Sequence, residues 1–113
     1  MTNVPLMRFP CSYLGSEVNL TPERERHIAE QHPDLLPAHR DRIGATLNTP
    51  DLVRRSARFG NARLLSRWFG DVRGGKHVVV VVVSDAMQGG RHWIVTAYLA
   101  RHLAEGAVEW QRS

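Results

Sequence analysis

The stretch ERHIAEQHPD, from Glu25 to Asp34, carries two histidines, and metal binding, proton transfer and plain packing are the roles open to them. A helix brings ligands to one face when they stand three or four residues apart. His27 and His32 stand five apart, about 500° around a helix, so their side chains diverge by about 140°. One continuous helix cannot hold an ion between them, and His39, His77, His92 and His102 form no pair at ligand spacing with a carboxylate. The expectation is no metal and no cofactor. Nucleophilic catalysis has no better footing: there is no GxSxG, and Cys11 lies in a proline-broken stretch without an identifiable histidine partner. GDVRGGK lacks the spacing of a phosphate-cradling loop. General acid–base chemistry remains. His27 adjoins Ile28, the large apolar residue of its helix, which sets it about 100° from the buried direction. A histidine at that margin could be oriented by packing and still reach a substrate. The competing reading is a half-buried histidine that only packs.

A second set of chemistry-bearing residues lies in RHWIVTAYL, which alternates as a strand does. Strict alternation puts Trp93, Val95 and Ala97 on one side, expected as core, and His92, Ile94, Thr96 and Tyr98 on the other. An imidazole, a hydroxyl and a phenol in a row suit an exposed functional face, although Thr and Tyr are also ordinary strand residues.

The elements that must position these residues are legible from local signals. Thr21 caps a helix, Pro22 takes its first position, Glu23 and Glu25 meet the positive end of the dipole, and Pro33 stops it near His32. A second helix is expected from about Pro37 to Asn48, with Leu36, Ile43 and Leu47 as its apolar stripe and Pro50 closing it. Strands follow: a weak one at LVRRSA, then ARLLSRWF, KHVVVVVVS and RHWIVTAYL, joined by GDVRGG and DAMQGG. Connectors this short imply antiparallel neighbours. The unbroken valines 78–83 predict a strand buried on both faces at the middle of the sheet. Residues 1–15, with Pro5, Pro10 and Gly15, read as an irregular arm before a short extended GSEVNL. The tail reads as a short helix RHLAEG and then VEW as an edge strand or a packed extension. The expected fold is α+β: two N-terminal helices on an antiparallel sheet of about four strands, in a single domain over 1–113 with a C-terminal extension over 100–113.

Composition narrows the partners. Lys+Arg 15 against Asp+Glu 11 gives +4 with histidine neutral. That balance favours anionic partners, nucleic acid first, with plain solubility as the competing explanation. A lone Cys11 cannot form an internal disulfide, which suits a reducing cytoplasm. No targeting segment is recognisable in MTNVPLMRFP, and six valines fall far short of the roughly 20 residues that span a bilayer.

Taken in order, TPERERHIAEQHPDL, IGATLNTPDLVRRS, RLLSRWF, HVVVVVV and WIVTAYL resemble the phage-associated branch of the barnase–EndoU–colicin–RelE-like (BECR) nucleases, over roughly Val18 to Leu99. The resemblance implies a metal-independent ribonuclease, phage- or toxin-associated, in which the substrate's 2′-hydroxyl attacks the adjacent phosphate to give a cyclic phosphate. It implies RNA as partner, tRNA being one class, together with a neutralising antitoxin or immunity protein, and no membrane. By position His27 matches the helix histidine as general base or acid. Thr96 matches the hydroxyl of the TAY motif, as a donor to the scissile phosphate, with Tyr98 beside it. Arg67 is the cation assigned to the phosphoryl oxygens. Lys76 is a second candidate for that cation or for RNA binding, Arg54 and Arg55 are expected along the RNA backbone, and His32, at the family's HP step, either closes the helix or takes part in catalysis or RNA binding. Two further readings stand beside this one: a nucleic-acid-binding module without catalysis, and a protein-interaction domain of a phage or toxin system.

Overall fold

A computed structural model of the chain describes residues 6–85, 90–103 and 106–112. The chain runs β1 (Met7–Cys11), β2 (Ser16–Leu20), α1 (Pro22–Gln31), α2 (Arg40–Asn48), β3 (Leu52–Arg55), β4 (Ala62–Phe69), β5 (Lys76–Asp85), β6 (Arg91–Ala100) and β7 (Ala107–Gln111). All seven strands join one sheet in the order β1-β2-β6-β5-β4-β3-β7. Every pairing is antiparallel except β2 with β6, which is parallel and held at a single register pair, Asn19 with Trp93. The expected four-stranded antiparallel sheet is therefore corrected to a seven-stranded mixed one.

Of the three additional strands, β2 and β7 coincide with the extended GSEVNL and with VEW as an edge strand, and what the expectation leaves out is that they and β1 join the same sheet at its ends. The arm expected over 1–15 becomes β1 from Met7 onward, and its Pro10 is harmless on the outermost strand, where a missing N–H costs no ladder bond. Gly15, at φ 62°, makes the tight turn back into β2. At the other end β7 pairs with β3, and the segment Arg101–Leu103, expected to begin a helix, is not helical. The rest of that expected helix includes residues outside those described.

Helix α1 starts as its cap predicts, with the Thr21 side chain accepting from the Arg24 N–H at 3.1 Å. It ends at His32, whose own N–H donates to the Ile28 carbonyl at 2.7 Å. Ile28 is the one fully buried residue of that helix, and its burial contributes about 1.5–3 kcal/mol. Helix α2 is shorter than expected, beginning at Arg40, and buries Ile43, Thr46 and Leu47 against β1, β4 and β5.

The core forms between the helices and one face of the sheet. Ile28, Leu35, Leu36, Ile43 and Leu47 meet Val18, Leu20, Val53, Leu65, Val78, Val80, Val82, Ile94 and Ala97. The valine strand β5 is central, as expected. Val78, Val80 and Val82 are sealed under the helices; on the other face Val79 is fully buried too, while Val81 and Val83 are half-buried. No described helix covers that second face.

Candidate functional site

Cross-strand partners point to the same side of a sheet, so the register fixes what the uncovered face presents. One row reads Thr96, Val81, Leu64, Arg54 and Val108 from β6 to β7. The next reads Tyr98, Val79, Ser66 and Leu52. A third, nearer the β4–β5 turn, places His77 beside Trp68. The strict alternation expected of β6 fails at one point. A β-bulge between Val81 and Val82 leaves Val95 without a register partner, so Ile94 and Ala97 both turn to the core while Thr96 and Tyr98 stay on the open face. Trp93, expected in the core, pairs with Val83 and shares the open face.

A groove of ≈ 630 Å³ lies on this face. Its floor is Val81, Val83 and Leu64, one wall is Thr96 and Tyr98, and the opposite wall is the β3–β4 loop with Arg58, Phe59 and Asn61. That loop is shaped by Ser56, whose hydroxyl accepts from the Arg58 and Phe59 N–H groups, both at 3.2 Å, and by Arg55, which donates to the Gly60 carbonyl. Phe59 is 63% exposed as a result. An exposed phenyl facing an open apolar floor is the arrangement on which planar rings stack.

His32 does not line the groove but lies next to one of its walls, against Tyr98. Beyond Trp93 strand β6 has no β2 neighbour, and α1 packs against β6. The C-terminal end of α1 thereby brings the His32 ring to 6.0 Å from the Tyr98 ring. A phenol, a hydroxyl and an arginine thus border one cavity, with an imidazole packed beside the phenol.

No family model, curated protein or solved structure matches this chain.

The remaining residues singled out in the sequence fall elsewhere. His27 is exposed on α1, in a shallow cavity lined by Glu23, Arg24, Arg26 and Glu30 of its own helix. Arg67 points to the helix side of the sheet, where it donates to the Thr49 hydroxyl at 2.5 Å and the Ala45 carbonyl at 3.4 Å and lies over the Phe69 ring. It clamps α2 to β4, with the whole sheet between it and Thr96. Arg55 also faces the helix side, paired with Glu109 at 2.5 Å. Lys76 donates to the Arg73 and Gly75 carbonyls of its own turn. Arg54 shares a row with Thr96 but is only 4% exposed. Of the eight residues, the structure brings together His32, Thr96 and Tyr98.

Three groove residues escaped sequence reasoning. Arg58, Phe59 and Asn61 belong to SARFGN, a turn segment whose phenylalanine has no strand or helix partner by pattern, and that isolation was the available signal. Among the described residues, no group of three or more His, Cys, Asp and Glu converges in a way that could hold a metal ion. No helix among them is long and apolar enough to cross a membrane.

Two imidazoles outside the groove are shifted. Burial first of all, opposed by Asp51 and assisted by Arg54 and His102, holds His77 below the ordinary imidazole range. Burial and then the Arg63 charge do the same to His92, which is 2.8 Å from the Ser84 hydroxyl through Nδ1.

Proposed function

We propose that this protein is a small metal-independent endoribonuclease that engages single-stranded RNA on the open face of its sheet. The observation that carries the reading is the approach of His32 to Tyr98, a residue lining the groove that also holds Thr96, Arg58 and Phe59. RNA is cleaved most simply by its own 2′-hydroxyl. That oxygen bonds to the adjacent phosphorus, the bond from phosphorus to the 5′-oxygen breaks, and a cyclic phosphate and a free 5′-hydroxyl result. His32 takes the 2′-hydroxyl proton, and the Tyr98 phenol supplies one to the leaving oxygen. Thr96 and Arg58 donate to the phosphoryl oxygens as their charge grows. Phe59 offers a face for a base beside the scissile bond.

The charge supports an RNA substrate. Of Lys+Arg 15, Lys76 is the sole lysine, and arginine is the cation whose planar fork fits phosphate in two-point contacts. The resemblance to the BECR nucleases agrees in reaction class only: the residues it matches by position are His27 and Arg67, whose roles fall here to His32 and Arg58 instead. In that setting the substrate is cytoplasmic RNA, tRNA included, and a neutralising protein partner would act by covering the open face.

Incubating RNA in EDTA with wild type, His32→Ala and His27→Ala, and analysing the product ends, tests the reading. The wild type should release cyclic phosphate ends, His32→Ala should lose about 100-fold or more, and His27→Ala should keep its activity. Full cleavage by His32→Ala, or RNA left whole by the wild type, would sink it. Whole RNA bound with steep salt dependence would instead favour a binding module, which the aromatic and cationic lining of the groove also suits.

A further inference from the structure

We propose a nucleotide-recognition subsite at the β1–β2 end of the open face, adjoining the groove and built from Arg8, Asn19, Trp93 and Arg91. This rests on the RNA reading above and deepens it by naming what holds the base next to the reacting phosphate. The register supplies the first argument. Arg8 pairs with Asn19, Asn19 with Trp93, and Trp93 with Val83, so these side chains form one continuous row on the open face. Val83 also lines the groove, and the row therefore leads from one cavity into the other.

The second argument is chemical. A cavity of ≈ 320 Å³ contains Arg8, Asn19, Trp93 and Arg91, with Glu17 at its rim, close to the lower size limit of small-ligand pockets, as a single nucleotide requires. Trp93 is half-buried, held by its strand with ring surface remaining, which is the state of a stacking platform. The half-buried Asn19 beside it has one amide donor pair and one carbonyl acceptor, the complement of a base edge. Arg8 and Arg91 are exposed, and neither takes part in an ion pair among the described residues. Arg8 flanks the ring with positive charge where a sugar–phosphate backbone would run, and Arg91 does so from beside its cross-strand partner Asp85. Glu17, two residues before Asn19 on the same strand, repels phosphate from its own side and so directs the backbone toward the arginines.

The row places stacking, edge reading and phosphate neutralisation in one line, and the ligand class that uses all three is a single-stranded nucleic acid, which the RNA reading above makes a ribonucleotide. Duplex RNA, with its bases stacked internally, cannot offer a free ring to Trp93.

The test is fluorescence anisotropy of labelled homopolymeric oligoribonucleotides, single-stranded and duplex, at several salt concentrations, with circular dichroism of every variant. Trp93→Ala should weaken single-strand binding by about 5- to 150-fold, and Trp93→Phe should restore most of it. Asn19→Ala should flatten the preference among homopolymers. Arg8→Ala, an exposed substitution that keeps the test alive if Trp93→Ala unfolds, should lower the salt slope by about 0.7. Binding and base preference unchanged in Trp93→Ala, Asn19→Ala and Arg8→Ala, while His32-dependent cleavage persists, would overturn the subsite alone. Trp93-dependent binding without any cleavage would overturn the catalytic reading and leave the subsite standing. A wild type that ignores single strands overturns both.

Discussion

Glu109 shows how one side chain can hold three segments together. Tyr13 of the β1–β2 turn donates to it at 2.8 Å, Arg63 of β4 at 2.9 Å, and Arg55 of β3 pairs with it at 2.5 Å. Burial works to raise its pKa, but the hydrogen bonds from Arg63 and Tyr13 and the charges of Arg63 and Arg55 outweigh that and hold the carboxyl below its ordinary range. Burial and the same contact raise the Tyr13 phenol. Glu109→Gln would leave Arg55 and Arg63 facing each other without a countercharge. A loss of about 1.5–3 kcal/mol is expected, measurable by urea unfolding. Because the cluster lies on the helix side, the RNA cleavage proposed above should be unaffected at saturating substrate below the melting range. A second residue-level prediction concerns Gly75, at φ 106°, where an added Cβ would come within 2.5 Å of the Trp68 ring. Gly75→Ala should therefore destabilise by more than about 1 kcal/mol and displace Trp68 from His77, a change visible in tryptophan emission.

At the scale of elements the bulge in β6 decides which residues share the open face with Thr96 and Tyr98. Alternation alone assigns Val95 to the core and Ile94 to solvent, whereas Ile94 is 3% exposed and Val95 borders the groove. Ile94→Ala should accordingly cost about 2–5 kcal/mol, and Val95→Ala well under half as much; equal losses would mean that the bulge is absent in solution. Helix α1, the strand β5 and the Thr96–Tyr98 pair were legible in the sequence because each rests on a local signal: a cap and two prolines, a valine run, a two-residue spacing. The bulge was not legible, since it arises from twist between β5 and β6 and no residue type marks it. Trp93 was assigned to the wrong face for that reason. The role of His32 was hidden differently. Its spacing from His27 correctly separates the two rings, but which of them meets the sheet depends on how α1 lies against β6, a long-range contact. Arg67 looked free because arginines in strands usually are, and only the packing of α2 shows its hydrogen bonds.

For the whole molecule, acid should act through the buried imidazoles. His92 and His77 have depressed folded-state pKa values, so the unfolded chain binds their protons more readily. The stability they contribute is complete above the unfolded imidazole value, about 6.5, and is lost as pH falls through their lower folded values. Glu109, also depressed, adds a second loss at still lower pH. Melting temperature should therefore be flat above neutrality and decline on acidification, and His92→Asn should shallow the first part of that decline. A profile that rises toward acid would contradict both assignments. The sheet itself is unevenly joined. β4, β5 and β6 are laced by long ladders, whereas the β1–β2 hairpin meets the rest of the sheet through the single pair Asn19 and Trp93. Local opening follows the weakest seam, so the hairpin amides should exchange with deuterium as a group, ahead of those in the three central strands. Each such opening would separate Arg8 and Asn19 from Trp93, and a bound single strand that bridges the seam should slow the exchange of all ten hairpin strand residues except Pro10, which has no amide hydrogen.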